Sequence, residues 1–445
     1  MRELLQNRQI YSNHELQDFI LQLETRYNVT DLSGKYSNAV NFSENQNVPF
    51  HKWFRYREGF SGNLVKELIR ESGALKDDVI VDPFSGSGTT PVVAALGGYS
   101  GLGIDVNPLT VYIANVKMRQ FTQKVLQTCK EMLNHLHTLR PQEVGRFSEI
   151  ERYFTPSNFR QLNALRGFID EIDDDDVKSI MLVSFLCIIE PCSNRRREGN
   201  GLKTVMTKVP DVIEAFKMKT VEIIGDLETT YNELRGEGKC IVDTATDLRR
   251  IYEEHIQSEG RRVGTIIFSP PYPNSFDYFE SYKLELVFGG FTDSISGINK
   301  LRERAVRSFI SGKPQKDANK YIELIAEEIE TSIPKKEAET GKKDFRTRKV
   351  PNMLRGYFSD MQEVLEQCSL VLETGRKVYI VVDQSSYVGV IVPTDLLLAY
   401  LGEQVGFRVE NITECRKSRT SAQQLNRFPY LKNTLRESIV EFEKK

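Results

Sequence analysis

Two short stretches of the sequence combine residues that could hold a small ligand and act on it. The first runs from Val79 to Thr90 and reads VIVDPFSGSGTT, with an apolar run, Asp-Pro, a glycine-rich turn and two threonines. The second runs from Thr265 to Tyr272 and reads TIIFSPPY. Each pattern predicts a buried strand that ends in polar or aromatic side chains. Open α/β sheets bind their ligands at the carboxyl ends of such strands.

The glycine-rich stretch predicts a strand, a turn and a helix start, so a ligand can approach bare backbone. Asp105 ends a second apolar strand, GLGID, where a carboxylate is suited to ribose hydroxyls. A phosphate loop would need a lysine after Gly88, and a dinucleotide motif would need glycine in place of Pro91. Asp82 would repel a pyrophosphate and suits a cationic ligand such as S-adenosylmethionine. The alternative is a turn that only packs helix on strand.

The Ser-Pro-Pro-Tyr stretch predicts a rigid loop. Its two prolines lack N–H groups and fix φ, so the strand must end there. The loop would present a serine hydroxyl, a carbonyl and an aromatic ring at the edge of the sheet. Taken alone, it could equally be a turn closed by a packing tyrosine. Its pairing with the glycine-rich stretch favours a functional loop.

The two motifs together resemble those of the amino-methylating DNA methyltransferases. The catalytic motif of that family is Asp/Asn/Ser-Pro-Pro-Tyr/Phe/Trp, and the serine form is typical of the N4-cytosine enzymes. The resemblance extends to Gly103–Asp105 and much of the C-terminal part, and it is weak or absent over 1–45, 120–235 and 293–350. It implies S-adenosylmethionine as cofactor and double-stranded DNA as substrate, with methyl transfer to N4 of cytosine. N6-adenine methylation, RNA guanine-N2 methylation and cofactor binding without turnover are the alternatives.

The resemblance also implies the site residues. The expected catalytic residues are Ser269, Pro270, Pro271 and Tyr272. The cofactor residues expected in the glycine turn and at the end of the second strand are Asp82, Pro83, Phe84, Gly86, Gly88, Thr89 and Asp105. Phe60 and Ser61, which precede a predicted helix, are expected near the methionine end of the cofactor. Asp243 or Asp247, after the next predicted strand, is expected near its adenine.

A basic stretch, CSNRRREGNGLKTVMTK at 192–208, stands out within a helical region. It has no apolar periodicity, and it predicts a loop. Arginine side chains can bind both phosphates and guanine edges, so we expect Arg195, Arg196 and Arg197 to contact DNA. The alternative is a solvated loop with no partner.

Composition limits the other possibilities. The chain has 445 residues, 40% hydrophobic and 27% charged, and a formal net charge of −2, as expected of a cytoplasmic protein. A local basic face would still suffice for DNA. No apolar run approaches the roughly 20 residues of a membrane span. The six cysteines lack CxxC spacing and the five histidines complete no ligand set, so we expect reduced thiols and no metal site.

These patterns predict a doubly wound α/β sheet of about seven strands, Rossmann-like, with the last strand antiparallel and a helical insertion. RESIVEFEK, near the C-terminal end, is predicted to be an edge strand. The methyltransferase domain is predicted in three segments, at 46–119, 236–292 and 351–445. An accessory arm at 1–45 precedes it. A helical insertion at 120–235, which could recognise the target, and a basic variable segment at 293–350 separate its three parts. The basic segment is interpreted as a linker, a lid or part of the DNA surface. A cognate restriction endonuclease is a possible partner in function only.

Overall fold

The computed structural model describes residues 1, 5–6, 10–139, 147–198, 201–230, 236–310 and 319–445. Its strands are β1 Val29–Asp31, β2 Val79–Asp82, β3 Ser100–Asp105, β4 Arg195–Glu198, β5 Gly201–Thr204, β6 Gly238–Val242, β7 Val263–Phe268, β8 Lys377–Asp383, β9 Ser385–Tyr387, β10 Val390–Val392, β11 Phe407–Lys417 and β12 Arg436–Lys444. Within the described residues, eight strands form one sheet in the order β1-β11-β12-β8-β7-β2-β3-β6, and β4-β5 and β9-β10 form two small hairpins.

The α-helices are α1 His14–Arg26, α2 Ser33–Tyr36, α3 Gly62–Ser72, α4 Thr89–Leu96, α5 Pro108–Met118, α6 Gln123–His135, α7 Pro156–Asp170, α8 Asp175–Cys192, α9 Val212–Thr229, α10 Leu248–His255, α11 Tyr278–Ser281, α12 Lys283–Phe288, α13 Ile298–Arg304, α14 Lys320–Thr340, α15 Val350–Val371, α16 Thr394–Gln404 and α17 Ala422–Arg427. Short 3-10 helices lie at Phe42–Asn47, Leu136–Thr138, Ser148–Tyr153, Ala245–Asp247, Gln257–Glu259, Thr347–Lys349 and Pro429–Leu431. No helix in these ranges combines the length and apolar character needed to cross a bilayer.

The predicted doubly wound sheet is confirmed. Side chains alternate along each strand, so Val79 and Val81 of β2 belong to one hydrophobic core and Ile80 to the core on the opposite face. Strands β6, β3, β2, β7 and β8 run parallel, and their carboxyl ends therefore share one edge. That edge carries both sequence motifs.

Strand β12 is the antiparallel strand of the sheet, but the prediction that it forms an edge is wrong. It lies between β8 and β11 and pairs with both. The physical reason is its two apolar faces, because Ile439 packs in one core and Val440 in the other. Since β12 is antiparallel to both of its neighbours, its first residues lie at the edge where the parallel strands end.

The first 45 residues are more closely integrated than an accessory arm. Strand β1 pairs in parallel with β11 and becomes the outermost strand of the sheet. Helix α1 buries Leu16, Ile20 and Leu23 in the main core. Glu24 in α1 forms a buried ion pair with Arg436 at 2.8 Å. This part of the chain therefore completes the sheet.

Residues 123–229 contain the helices α6, α7, α8 and α9, which share one hydrophobic core with α5 and α12. Positions 140–146, 199–200 and 231–235 of the predicted insertion lie outside the described residues. In the segment predicted as basic and variable, 311–318 lie outside them too. Its described part is not a linker, because α14 buries Ile322, Ile325 and Ile329 in the main core.

Candidate active site

The loops at the carboxyl edge of the sheet surround a cavity of about 840 Å³. This volume is within the range of pockets that enclose a small-molecule ligand. The predicted site residues in its wall are Phe60, Asp82, Pro83, Phe84, Thr89, Asp105, Asp243, Ser269, Pro270, Pro271 and Tyr272. The fold thus brings the two motifs, which are far apart in the chain, to one place.

The two glycines of the turn lie outside the cavity wall, although Phe84 and Thr89 on either side line it. Gly86 has φ of +49° and Gly88 has φ of +87°, conformations that L side chains rarely adopt. A Cβ on Gly88 would lie 2.6 Å from the Cβ of Ala114, so helix α5 could not pack there. The N–H of Gly86 donates to Asp105 Oδ2 at 2.8 Å, which ties the turn to the end of β3. Direct cofactor contact by the two glycines stays a prediction.

Two acidic side chains face the cavity from neighbouring strands. Asp82 is 2% exposed, and burial raises its pKa to about 7. Burial also raises the pKa of Asp105 to about 6, against the opposing effect of hydrogen bonds from the backbone of Asn107 and Gly86. Asp82 Oδ1 accepts the N–H of Phe84 at 2.9 Å. A cationic ligand would stabilise the ionised form of both carboxyls.

The Ser-Pro-Pro-Tyr loop follows β7 and is held by hydrogen bonds. Ser269 Oγ donates to Tyr272 Oη at 3.3 Å, and the backbone N–H of Tyr272 donates to Tyr278 Oη at 3.2 Å. Tyr387 Oη donates to the carbonyl of Pro273 at 2.6 Å, just beyond the motif. These contacts fix the position of the tyrosine ring before any substrate arrives.

Glu437, at the start of β12, is a site residue that the sequence did not suggest. Its carboxylate accepts a hydrogen bond from Tyr272 Oη at 2.9 Å and another from Arg416 Nε at 2.5 Å. Both Glu437 and Arg416 line the cavity. Burial raises the pKa of Glu437. Nothing local in RESIVEFEK marks this glutamate, because its role depends on β12 lying beside β8.

Of the other candidate residues, the structure places some in the cavity wall and some outside it. Phe60 lines the cavity, whereas Ser61 lies outside its wall and accepts the N–H of Asn63 at 3.1 Å as the N-cap of α3. Asp243 lines the cavity, and its carboxylate accepts a hydrogen bond from Arg304 at 2.9 Å. Asp247 does not reach the cavity in the described structure. Of the two aspartates, Asp243 is therefore the candidate for the adenine side.

The described part of the basic stretch contains two strands, and one of its three arginines is buried. Arg195–Glu198 (β4) pairs antiparallel with Gly201–Thr204 (β5). Arg197 is buried, donates to Glu190 Oε2 at 2.7 Å and to Glu285, and lies 4.2 Å from the centre of the Tyr282 ring. Its charge is paired inside the protein, yet Arg197 also lines the cavity, and DNA contact by Arg197 stays a prediction.

The other two arginines of the hairpin are partly exposed. Arg196 Nη1 donates to the carbonyls of Glu190 at 3.1 Å and Ser193 at 3.0 Å. The Arg195 guanidinium lies 5.3 Å from the centre of the Tyr153 ring. DNA contact by Arg195 and Arg196 stays a prediction.

The fold and the site together define a Rossmann-like methyltransferase. A family model of N6- and N4-type DNA methylases matches residues 15–116. The chain is 25% identical to the Type II methyltransferase M.BsoBI of Geobacillus stearothermophilus, over 91% of this chain and 87% of that protein. It is 26% identical to M.AvaI of Anabaena variabilis (84% and 82%) and 24% identical to M.MvaI of Kocuria varians (51% and 53%), both Type II methyltransferases.

These matches confirm the family that the motifs predicted. The chain is similar to the amino-methylating DNA methyltransferases, and its methyl donor is S-adenosylmethionine. The cavity fits that cofactor in its chemistry, because two carboxyls of raised pKa, the buried Asp82 and the half-buried Asp105, face a space of adequate volume and the donor carries ammonium and sulfonium charges.

Proposed function

We propose that the chain methylates N4 of cytosine at a specific site in double-stranded DNA. The observation that carries this proposal is the place of Ser269 in the cavity wall, next to the Pro270 carbonyl and the Tyr272 ring. A serine in the first position of the motif is the form that resembles the N4-cytosine enzymes. Adenine N6 is the second candidate, because the same two acceptors would serve its amine.

The exocyclic amine of cytosine is a poor nucleophile because its lone pair is conjugated with the ring. Hydrogen bonds that hold both N–H groups out of the conjugated geometry turn the lone pair toward an electrophile. Ser269 Oγ and the Pro270 carbonyl are suited to accept those N–H groups, a positioning and electrostatic effect. The bound cofactor supplies an electrophilic methyl group, and no covalent bond to the protein is needed.

A base must leave the duplex to reach this loop, which costs a few kcal/mol. Stacking on an aromatic side chain offsets about 1–3 kcal/mol of such a cost. We assign that stacking to Tyr272, whose hydroxyl is held by Glu437 and whose backbone is held by Tyr278. Because the ring is fixed in advance, little side-chain entropy is lost when the base arrives.

We assign the cofactor contacts to the side chains that face the cavity. Asp105 would bind the ribose hydroxyls and Asp82 would face the cationic groups, since an ionised buried carboxylate gains most from a positive neighbour. Phe60 would pack on the methionine end and Asp243 would lie near the adenine.

The relatives support a biological role as well. M.BsoBI and M.AvaI carry the description Type II methyltransferase, so we assign the chain to a restriction-modification system. In that role it would mark the sites that a nuclease of the same specificity cuts.

The test is to identify the product. The purified protein is incubated with labelled S-adenosylmethionine and genomic DNA that lacks methylation, the DNA is digested to nucleosides, and the labelled nucleoside is identified by mass. We expect N4-methylcytosine. If the labelled nucleoside is N6-methyladenine, the target is N6 of adenine and the cytosine assignment is wrong. Label in RNA and none in DNA, with structured RNA as the second substrate, would contradict the DNA assignment and favour guanine-N2 methylation.

A further inference from the structure

One aromatic side chain is placed where folding alone gives no reason for it. Phe345 is 71% exposed. All 24 phenylalanines and the single tryptophan lie in described parts of the chain. Phe345 is the only one of them that is exposed to solvent, and the others are buried or half-buried. It contributes to none of the hydrophobic cores.

Phe345 stands at the tip of a helical hairpin formed by α14 and α15. Helix α15 ends just before the amino end of β8, so its first residues lie toward the carboxyl edge of the sheet. The tip contacts the catalytic loop directly, because Arg346 Nη2 donates to the carbonyl of Ser275 at 3.3 Å. Ser275 Oγ in turn donates to Met353 Sδ at 3.4 Å in α15. The hairpin tip therefore contacts the loop that carries Tyr272 through Arg346, the residue after Phe345.

The tip is held by its own hydrogen bonds. Asp344 Oδ1 accepts the N–H of Thr347 at 2.9 Å, and Asp344 Oδ2 accepts the Thr347 hydroxyl at 2.7 Å. The N–H of Asp344 donates to Glu337 Oε1 at 2.8 Å. The backbone on both sides of Phe345 is thus fixed while its ring projects outward. An exposed ring on a backbone held in this way loses less chain entropy when it contacts a partner.

Basic residues flank Phe345 in the sequence. The sequence from 342 to 349 reads KKDFRTRK, and Arg348 is paired with Glu337. No ion pair to any described residue holds Lys342, Lys343 or Lys349, and all three are exposed. Free lysines around an aromatic ring match the chemistry of a nucleic acid, in which phosphates flank stacked bases.

We propose that Phe345 is a wedge that enters the DNA duplex beside the target base. Apolar side chains that insert between base steps unstack them, and a ring in the vacated space would favour the flipped state. Lys342, Lys343 and Lys349 bind the flanking phosphates. This inference rests on the proposed function, because it needs duplex DNA whose target base is turned into the cavity.

The wedge predicts an effect that depends on how firmly the target base is paired. The substrates are two duplexes that carry the methylated site, located by sequencing DNA that the wild-type protein has modified. One has the target base matched and the other has it mismatched. On the matched duplex, Phe345→Ala should methylate at least tenfold more slowly than the wild-type protein. On the mismatched duplex, where flipping costs less, the variant should recover to within about threefold. Phe345→Trp should retain most of the rate on both.

The matched control is Leu370→Ala. Leu370 is 56% exposed and lies near the end of α15, at the opposite edge of the sheet, so its loss should change neither rate. An equal loss of rate on both duplexes with Phe345→Ala, or no loss on the matched one, would overturn the wedge. If the wild-type protein itself modifies no DNA, it is the proposed function that fails.

Discussion

The hydroxyl of Tyr272 and the carboxylate of Glu437 are joined by a hydrogen bond of 2.9 Å across 165 positions of the chain. Tyr272 belongs to the loop after β7, whereas Glu437 begins β12, two strands away in the sheet. The carboxylate is also held by Arg416, from β11. The Ser-Pro-Pro-Tyr loop is therefore fixed from the C-terminal part of the sheet.

Removing the Tyr272 hydroxyl should distinguish two roles of this residue: stacking of its ring on the base, and positioning of the ring by the hydrogen bond to Glu437. Tyr272→Phe keeps the ring and loses the bond to Glu437, so we expect turnover to fall about tenfold, the effect of losing one hydrogen bond to a charged group. Substrate affinity should change little. Single-turnover kinetics with labelled cofactor measures both quantities. A loss of DNA affinity as large as that of Tyr272→Ala would show that the hydroxyl serves binding rather than positioning.

Ser269→Ala tests the catalytic assignment directly. It removes one acceptor for the target amine and leaves the prolines and the tyrosine ring in place. We expect turnover to fall by about a hundredfold or more with the affinity for DNA and cofactor unchanged, since the contact strengthens only in the transition state. Tritium transfer to DNA gives the rate and calorimetry gives the affinity. Near-normal turnover would remove Ser269 from the mechanism and with it the preference for cytosine.

The motif residues were predictable because their chemistry is local. A strand, a Pro-Pro turn and a glycine turn can each be predicted from a few consecutive residues. The parallel sheet then brings Ser269 and Asp82 to one edge. Glu437 was not predictable, because its place follows from β12 pairing with β8, a contact between distant parts of the chain. The burial of Arg197 was not predictable for a related reason. Its partner Glu285 lies 88 positions away, and composition alone made the stretch look like an exposed loop.

Arg197 should matter for folding. Arg197→Ala would leave Glu190 and Glu285 buried without their counter-charge, and we expect the free energy of unfolding to fall by about 3–5 kcal/mol. Arg195→Ala, at a partly exposed position of the same strand, should change it by no more than about 0.5 kcal/mol. Urea unfolding of the two variants gives this comparison. Equal stability of the two would mean that the buried ion pairs contribute nothing net.

The pKa of Asp82 predicts a dependence of stability on pH. Because its pKa is raised to about 7 in the folded protein, folding takes up a proton between about pH 4 and about pH 7. The free energy of unfolding of the ligand-free protein should therefore fall as the pH rises through that window. Ionised Asp82 attracts a cationic ligand, so the affinity for S-adenosylmethionine should rise through the same window. Asp82→Asn should flatten both profiles.

Asp383→Asn is the control for this prediction. Burial raises the pKa of Asp383 to about 8, so its loss should also flatten the stability profile. Asp383 is not in the wall of the cavity as far as the chain is described, so the pH profile of cofactor affinity should stay as in the wild-type protein. Denaturant unfolding and calorimetry from pH 4 to pH 8 measure the two profiles. If Asp82→Asn leaves the affinity profile unchanged, Asp82 does not face the charged groups of the donor.

The interior position of β12 has a consequence for how the protein is made. Of the strands in the sheet, β12 is the last to leave the ribosome, yet β8 and β11 have no shared neighbour without it. Until it is inserted, Tyr272 lacks Glu437, and β1 and β11 remain detached from the half of the sheet that binds the cofactor. Chains whose translation stops before β12 is made should therefore not methylate DNA, even when the earlier part of the sheet has already folded.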